Sequence, residues 1–329
     1  MKLDHLILTR FCVRLPGVKH SDGSGPVGAF DGDPLRPSTL DVRIRLLQMT
    51  ARASMQAQDD ADVGWVLIID PDLPRGYRDR VQAMLRPLRR AYLHVFDQNK
   101  DDLRTTAWLQ PYVRPGTSHL LTTNLDDDDL LPVDFARHCR EHIVKHYAQG
   151  SLPPVKILAG TQVLQWDMCP SLRAPLGSLK PWVRGHFPSS AGLTLMTERE
   201  RDACVLGLRH RFAEQIVDQA VAAENEHVAR YREVFADVLA QWPKAQLFHD
   251  FGPELGPVLM SNHLVNSQIN RGQEAKEQRR RVRTPSDVAF PIDWAAFLRH
   301  APRFTPAHPR YWLTKALRRI ERQRGGTTS

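Results

Sequence analysis

A chain of 329 residues with 42% hydrophobic and 25% charged residues has the length and composition of a globular α/β protein, built as one large domain or two small ones. That balance argues against collagen-like, repetitive or broadly disordered chains. A formal net charge of +8 and a pI near 9.5 favour anionic partners, namely nucleotide sugars, phospholipid surfaces or nucleic acid, without choosing among them.

The four cysteines, Cys12, Cys139, Cys169 and Cys204, are widely spaced and form no CxxC pair. Neither a zinc knuckle nor a disulfide framework is suggested, and a reducing compartment is the simplest reading. The opening MKLDHLILTRF has an apolar run too short for a signal-peptide core. No stretch approaches the roughly 20 apolar residues of a membrane span. The expectation is a soluble, cytoplasmic protein.

In chain order, His5 to Thr9 reads as a first strand running into Arg10-Phe11-Cys12-Val13-Arg14. Residues 16–38 are rich in Gly, Pro, Ser and Asp and read as a long loop. Ile44, Leu47, Ala51 and Met55 recur at helical spacing and predict a helix over 42–58. Trp65 to Ile69 is continuously apolar, as a strand buried on both faces should be, and ends in Asp70-Pro71-Asp72. A helix is expected over 75–88, a strand over 91–96 and a strand over 120–124. This alternation predicts βαβ units and a mainly parallel sheet. Beyond it come a helix over 132–148, a strand-like run over 155–166, a shorter strand over 192–196 and a capping-box helix start at Thr197-Glu198-Arg199-Glu200. Phe212, Ile216, Ala220, Ala223, His227, Tyr231, Val234 and Val238 predict one long helix over about 203–240. Residues 271–286 are basic and poor in apolar residues. Trp294, Phe297 and Leu298 fit a small core helix, and 311–324 a short basic amphipathic helix.

The densest chemical signal is Leu120 to Asp129, where an apolar, β-branched strand ends in four consecutive carboxylates. Like charges side by side repel, and a hard divalent cation such as Mg²⁺ or Mn²⁺ relieves that repulsion through carboxylate oxygen. The carboxyl ends of strands are where open α/β sheets bind ligands. Asp126, Asp128 and Asp129 are therefore candidate metal ligands, with Asp126 also a nucleotide-side group. Thr9, Arg10 and Arg14 follow the first strand, where an arginine can pair with phosphate. Asp70 ends the second and could accept hydrogen bonds from a base or ribose. His263, in Met260 to Asn266, could supply a further imidazole ligand. Glycine-rich phosphate loops and HExxH are absent from the sequence.

Together these segments resemble the rhamnosyltransferase family, bacterial proteins with GT-A-like architecture. Four stretches carry the resemblance: His5 to Arg14; Arg43 to Asp70, where Ser54 to Gln58 precedes Trp65 to Asp70 in a way related to the family's PSL-x-x-Q … W-x-x-x-x-D; Thr122 to Asp129, similar to T-R-L-D-x-D-D; and His263 to Asn266, similar to H-x-x-N. Two departures are visible. Asn124 stands where the family carries arginine, and Arg52-Ala53-Ser54 replaces the leucine-proline-serine run.

The resemblance implies a GT-A-like nucleotide-diphospho-sugar transferase fold, with a mainly parallel twisted sheet flanked by helices. It implies a DxD-type acidic motif binding Mn²⁺ or Mg²⁺ and the donor diphosphate. The expected organisation is a catalytic domain over 1–265, with a nucleotide-binding half (1–150) and an acceptor half (151–265), then a basic extension over 266–329. The expected activity is transfer of a sugar such as rhamnose from a nucleotide-sugar donor to a glycan or lipid-linked acceptor. Glu198 is the first candidate for the base that deprotonates the acceptor, because it follows a later strand, and Asp167 is the second. Apart from the resemblance, Lys315, Arg318, Arg319, Arg322 and Arg324 on the basic C-terminal helix are read either as a peripheral contact with the inner face of an anionic membrane or as the solvated side of a core-packed helix. Two other classes compete: a metal-dependent nuclease or other nucleic-acid enzyme using the basic 271–283 segment, and a non-catalytic GT-A-like binding protein. No recognised nucleic-acid motif is present, so no nucleic-acid partner is expected.

Overall fold

The structure, a computed structural model, describes residues 1–14, 33–168, 178–183, 189–208, 212–218, 220, 226–251, 258–262 and 290–300. Four strands, β1 (Leu3–Phe11), β2 (Gly64–Ile69), β3 (Ala91–Val95) and β4 (His119–Asn124), run parallel in the spatial order β3-β2-β1-β4. Beyond β4 the same sheet continues through β8 (Thr194–Glu198), β5 (Val155–Ala159) and β9 (Phe248–Asp250). β8 is antiparallel to both its neighbours, whereas β5 and β9 pair in parallel. The expected mainly parallel sheet flanked by helices is thus what the chain forms, and one sheet runs across residue 150. A smaller three-stranded sheet has the order β10-β6-β7: β10 (Val258–Asn262), β6 (Gln162–Asp167) and β7 (Ser178–Val183).

Both faces of the central strands are apolar, so each face builds its own core. Ile7, Phe11, Trp65, Leu67 and Leu121 pack under α1 (Pro37–Met49), α3 (Arg75–Leu85) and α4 (Phe135–Ala148), through Leu40, Ile44, Val81 and Ile143. Leu6, Leu8, Val66, Ile68 and Leu195 turn the other way and meet Ile216, Tyr231, Phe235 and Val238. A third cluster sits on the far side of α1, where Val42, Leu46 and Met49 meet Trp166, Leu259 and Phe297. α1 is buried on two sides because it is wedged between the two sheets and the helix Trp294–His300.

Several elements differ from the sequence expectation. The helix expected over 42–58 is two helices, α1 and α2 (Ala51–Ala57), with the break at Thr50, where φ and ψ are −113° and −93°. The run 155–166 divides at Gly160-Thr161 into β5 and β6, strands of different sheets. Thr197 and Glu198 end a strand instead of starting a helix. In place of one long helix, the described residues between 203 and 241 hold a 3-10 turn at Val205–Gly207 and the helices Ala213–Val217, Glu226–Val234 and Ala236–Gln241. The segments 271–286 and 311–324 lie outside the described residues, as does most of the expected loop, residues 15–32.

Candidate active site

Because β1, β2 and β4 are parallel neighbours, their carboxyl ends share one sheet edge. Register places Leu8 beside Asn124 and Phe11 beside Ile69, so Arg10, Asp70 and Asp126 all arrive at that edge. The acidic run leaves β4 through Leu125, whose N–H donates to the Leu8 carbonyl at 3.0 Å, and then turns tightly, with the Asp129 N–H donating to the Asp126 carbonyl at 3.2 Å.

The four carboxylates do not share one environment. Asp127 is fully buried, Asp128 and Asp129 are 7% and 2% exposed, and only the Asp126 side chain opens substantially, at 31%. Asp126 lies 3.9 Å from the Arg10 guanidinium and accepts hydrogen bonds from Ser190 Oγ at 3.3 Å and Asn124 Nδ2 at 3.4 Å. Asn124 also donates to the Ser190 carbonyl at 3.1 Å, which ties the acidic loop to the segment entering β8.

The buried carboxylates are held by Arg43 of α1. Its Nε donates to Asp127 Oδ2 at 2.9 Å, its Nη2 donates to Asp127 Oδ1, and its Nη1 donates to Asp128 Oδ2 at 3.1 Å. Burial pushes the Asp127 carboxyl up, Arg43 pulls it down, and Asp128 and Asp126 push it up again, with the net direction upward. The same carboxylates keep Arg43 charged against its own burial.

The helices α1 and α2 also grip the backbone of this loop. Thr50 Oγ1 donates to the Asp127 carbonyl at 3.1 Å, and the Ser54 hydroxyl donates to the Leu131 carbonyl at 3.2 Å while accepting the Leu131 N–H at 2.9 Å. Gln58 donates to the Pro132 carbonyl at 2.8 Å and accepts the Ala136 N–H at 3.1 Å. Ser54 and Gln58 are the serine and glutamine of the PSL-x-x-Q-like stretch, so that motif positions the acidic loop. The signal for Arg43 was a charged residue at helical spacing between Leu40 and Leu47, on an otherwise apolar stripe. Ser190 had no signal in the sequence.

On the β2 side, Arg14 and Asp70 satisfy each other. The Arg14 N–H donates to Asp70 Oδ2 at 2.9 Å, and its Nε and Nη2 donate to Oδ2 and Oδ1 at 3.0 and 2.7 Å. Nη2 also pairs with Asp72. Burial raises the Asp70 carboxyl, but the Arg14 bonds outweigh it and hold the group below its usual range. The exposed member of this pair is Arg14, at 38%.

Two expected site residues do not belong here. Thr9 is fully buried and its hydroxyl accepts the Trp65 indole N–H at 2.9 Å, so it braces β1 against β2 and does not face a ligand. Glu198 pairs in register with His119, at the amino end of β4. β8 runs antiparallel to β4, which carries Glu198 to the edge opposite Asp126, roughly 20 Å away along the strand. Asp167 ends β6 in register with Asn262 of β10. β10 is in turn bridged to the acidic loop, with the Leu130 N–H donating to the Leu259 carbonyl at 2.9 Å. The Asp167 side chain and all of His263 lie outside the described residues.

The donor set suits a hard cation in one specific way. Among the described residues no three ligating side chains form a closed metal shell. Mg²⁺ commonly takes one or two carboxylates and completes its shell with water and substrate phosphate oxygens. The half-open Asp126 could supply one such carboxylate. Four carboxylates against the two guanidinium groups Arg10 and Arg43 also leave a formal charge of −2, which a divalent cation matches.

Residues 34–163 match the family described as "Putative rhamnosyl transferase", less than half of the chain but including α1, α2, β2, β4 and the acidic loop. No curated protein matches the chain. Solved structures overlap it loosely. Staphylococcus aureus TarS 1–349 is 10% identical over 49% of this chain and 36% of its own, with a TM-score of 0.27. Mouse xyloside xylosyltransferase 1 is 11% identical over 75% and 84%, with a TM-score of 0.30. The 4-diphosphocytidyl-2C-methyl-D-erythritol synthase of Anaerococcus prevotii is 12% identical over 82% and 92%, also at 0.30. The chain thus spans about a third of the TarS chain it overlaps.

Proposed function

We propose that the protein is a metal-dependent glycosyltransferase that moves a sugar, rhamnose on the family's description, from a nucleotide-sugar donor to a saccharide or lipid-linked acceptor. The observation that carries this reading is the half-open Asp126 carboxylate beside Arg10 at the carboxyl edge of β1 and β4, on a loop locked from behind by Arg43. The match over residues 34–163 supports the same class.

Asp126, with Asp128 behind it and His263 as a further ligand from the segment after β10, would hold Mn²⁺ or Mg²⁺. When bound, the cation would supply charge neutralisation for the departing diphosphate. Arg10 would reach the phosphates, because it is the guanidinium nearest Asp126 whose side chain stays open to solvent. The Arg14–Asp70 pair would line the nucleoside side. In an inverting reaction a carboxylate takes the acceptor proton. With Glu198 on the opposite edge, that role falls to Asp167, whose strand reaches the acidic loop through β10. No helix among the described residues is long and apolar enough to cross a membrane. A lipid-linked acceptor would be met at an anionic bilayer surface through the basic 311–324 segment.

A thermal-shift panel of nucleoside diphosphates and nucleotide sugars, with and without Mn²⁺, tests the proposal. A Mn²⁺-dependent stabilisation by one nucleotide class is expected. A flat response to the whole panel, with and without Mn²⁺, would reject it.

A further inference from the structure

The large sheet ends at β3, which pairs with β2 on one side only. Bonds at the two ends of β3 fix which way its backbone groups point. The Trp65 N–H donates to the Arg90 carbonyl at 2.8 Å, and the Phe96 N–H donates to the Ile69 carbonyl at 2.9 Å. Residues 90, 92, 94 and 96 therefore bond toward β2, while Ala91, Leu93 and Val95 turn their N–H and C=O groups outward. Those outward groups have no hydrogen-bond partner among the described residues. Edge strands are commonly blocked by a lysine, a proline or a bulge, and Ala91–Val95 has none of these and an unbroken register. Its Val95 side chain is also exposed, at 42%.

We propose that a second copy of this chain pairs with β3, antiparallel across a two-fold axis through Leu93, and joins the two large sheets into one. The strand is self-complementary in that register. Leu93 faces Leu93 of the second copy, Ala91 faces Val95, and Arg89 faces Asp97. Every outward N–H then meets an outward carbonyl in hydrogen-bonded pairs. The small Ala91 leaves room for the exposed Val95. Arg89 is exposed and has no ion pair or hydrogen bond among the described residues. The Asp97 side chain is 39% exposed, with Lys100 at 2.9 Å from Oδ2 and the Asn99 N–H donating to Oδ1 at 3.0 Å. Opposite charges facing one another across an antiparallel pair stabilise it, and the two-fold axis makes this contact twice.

The charges select this axis over its neighbours. An axis through Ala91 or Tyr92 would set Arg89 against Leu93 or Val95, and one through His94 or Val95 would set Asp97 against Ala91 or Leu93. An extended peptide from another protein would meet the same edge, but the match of β3 with itself favours a second copy. The acidic loop leaves β4, three strands in from β3, so the interface leaves Asp126 uncovered.

Sedimentation velocity of the untagged full chain over a range of concentrations tests the interface. A monomer–dimer equilibrium is expected. Val95→Lys, which places a charge on the exposed edge, should weaken dimerisation by at least about 10-fold with circular dichroism unchanged. Arg89→Asp and Asp97→Arg each set like charges face to face and should weaken it by about 10-fold. The double variant Arg89→Asp/Asp97→Arg restores opposite charges and should return to within about 3-fold of wild type, a rescue that only a two-fold antiparallel register gives. A wild-type chain that stays monomeric at every concentration, which leaves the edge to another occupant, would overturn the proposal. So would a dimer unmoved by Val95→Lys, or a double variant weaker than either single one.

Discussion

Replacing Arg43 with Met removes the guanidinium that holds the acidic loop while keeping most of the side-chain volume between the two sheets. In the native protein the Arg43 side chain is 8% exposed and Asp127 fully buried, with three charged hydrogen bonds between Arg43 and the pair Asp127 and Asp128. Taking one partner from a buried ion pair leaves the other charge uncompensated and costs about 3–5 kcal/mol. A buried neutral hydrogen bond is worth only about 1 kcal/mol, so the charge dominates. Urea unfolding followed by tryptophan fluorescence at pH 7.5 measures the loss directly. The Arg43→Met/Asp127→Asn double variant should recover at least about 1 kcal/mol of it, because residues in direct contact couple by about 0.5–3 kcal/mol. A single-variant cost below about 1 kcal/mol, or strictly additive effects in the cycle, would refute the view that Arg43 locks this loop.

Ser54→Ala and Gln58→Ala should each lower stability by about 1–2 kcal/mol in the same assay, since each leaves backbone groups of the acidic loop without partners. Glu198→Gln should leave transfer activity within about 2-fold of wild type, because neutralising a half-buried charge at the far sheet edge, roughly 20 Å from Asp126, reaches the site only weakly; a loss of 100-fold would return Glu198 to the mechanism. Burial, with Arg140 adding to it, lowers His5 from 6.5 to about 4. Above pH 6.5 neither state takes a proton there, and below it the unfolded chain does while the folded chain refuses. Stability should therefore fall by up to about 3 kcal/mol as pH drops from 6.5 to 4, with a shallower slope in His5→Gln. Equal slopes in the two proteins would contradict this assignment.

The part of the fold legible in the sequence was the part governed by local pattern. Trp65 to Ile69 reads as a strand buried on both faces because it has no polar residue to turn toward water, and it is one. The acidic run, Arg10 and Asp70 could be placed at strand ends from their position after apolar runs. What could not be read was strand direction. Glu198 follows a genuine strand, but nothing local marks β8 as antiparallel, and its direction alone moves the residue to the other edge. The break in the 42–58 helix was hidden for a related reason. Thr50 leaves helical geometry to bond both Leu46 and Asp127, and the second partner lies 77 residues away. Apolar spacing also ran unbroken across Gly160-Thr161, where Thr161 bonds Asp250 and the chain crosses from one sheet to the other. Spacing records which residues are buried, not where the chain stops. Arg43 was visible as a charge on an apolar helix stripe, yet its meaning required knowing that the acidic loop packs on that stripe.

The central claim is that a donor diphosphate binds at the carboxyl edge of β1 and β4 through Asp126 and Arg10. Equilibrium binding of UDP and dTDP in Mn²⁺, compared among the wild-type chain, Asp126→Asn, Arg10→Met and Glu198→Gln, tests it most directly. The account predicts binding by the wild-type chain, a loss of at least about 10-fold in Asp126→Asn and Arg10→Met, since a charge-assisted contact is worth about 1.5–3 kcal/mol, and unchanged affinity in Glu198→Gln. Wild-type affinity in Asp126→Asn, or an equal loss in Glu198→Gln, would contradict it.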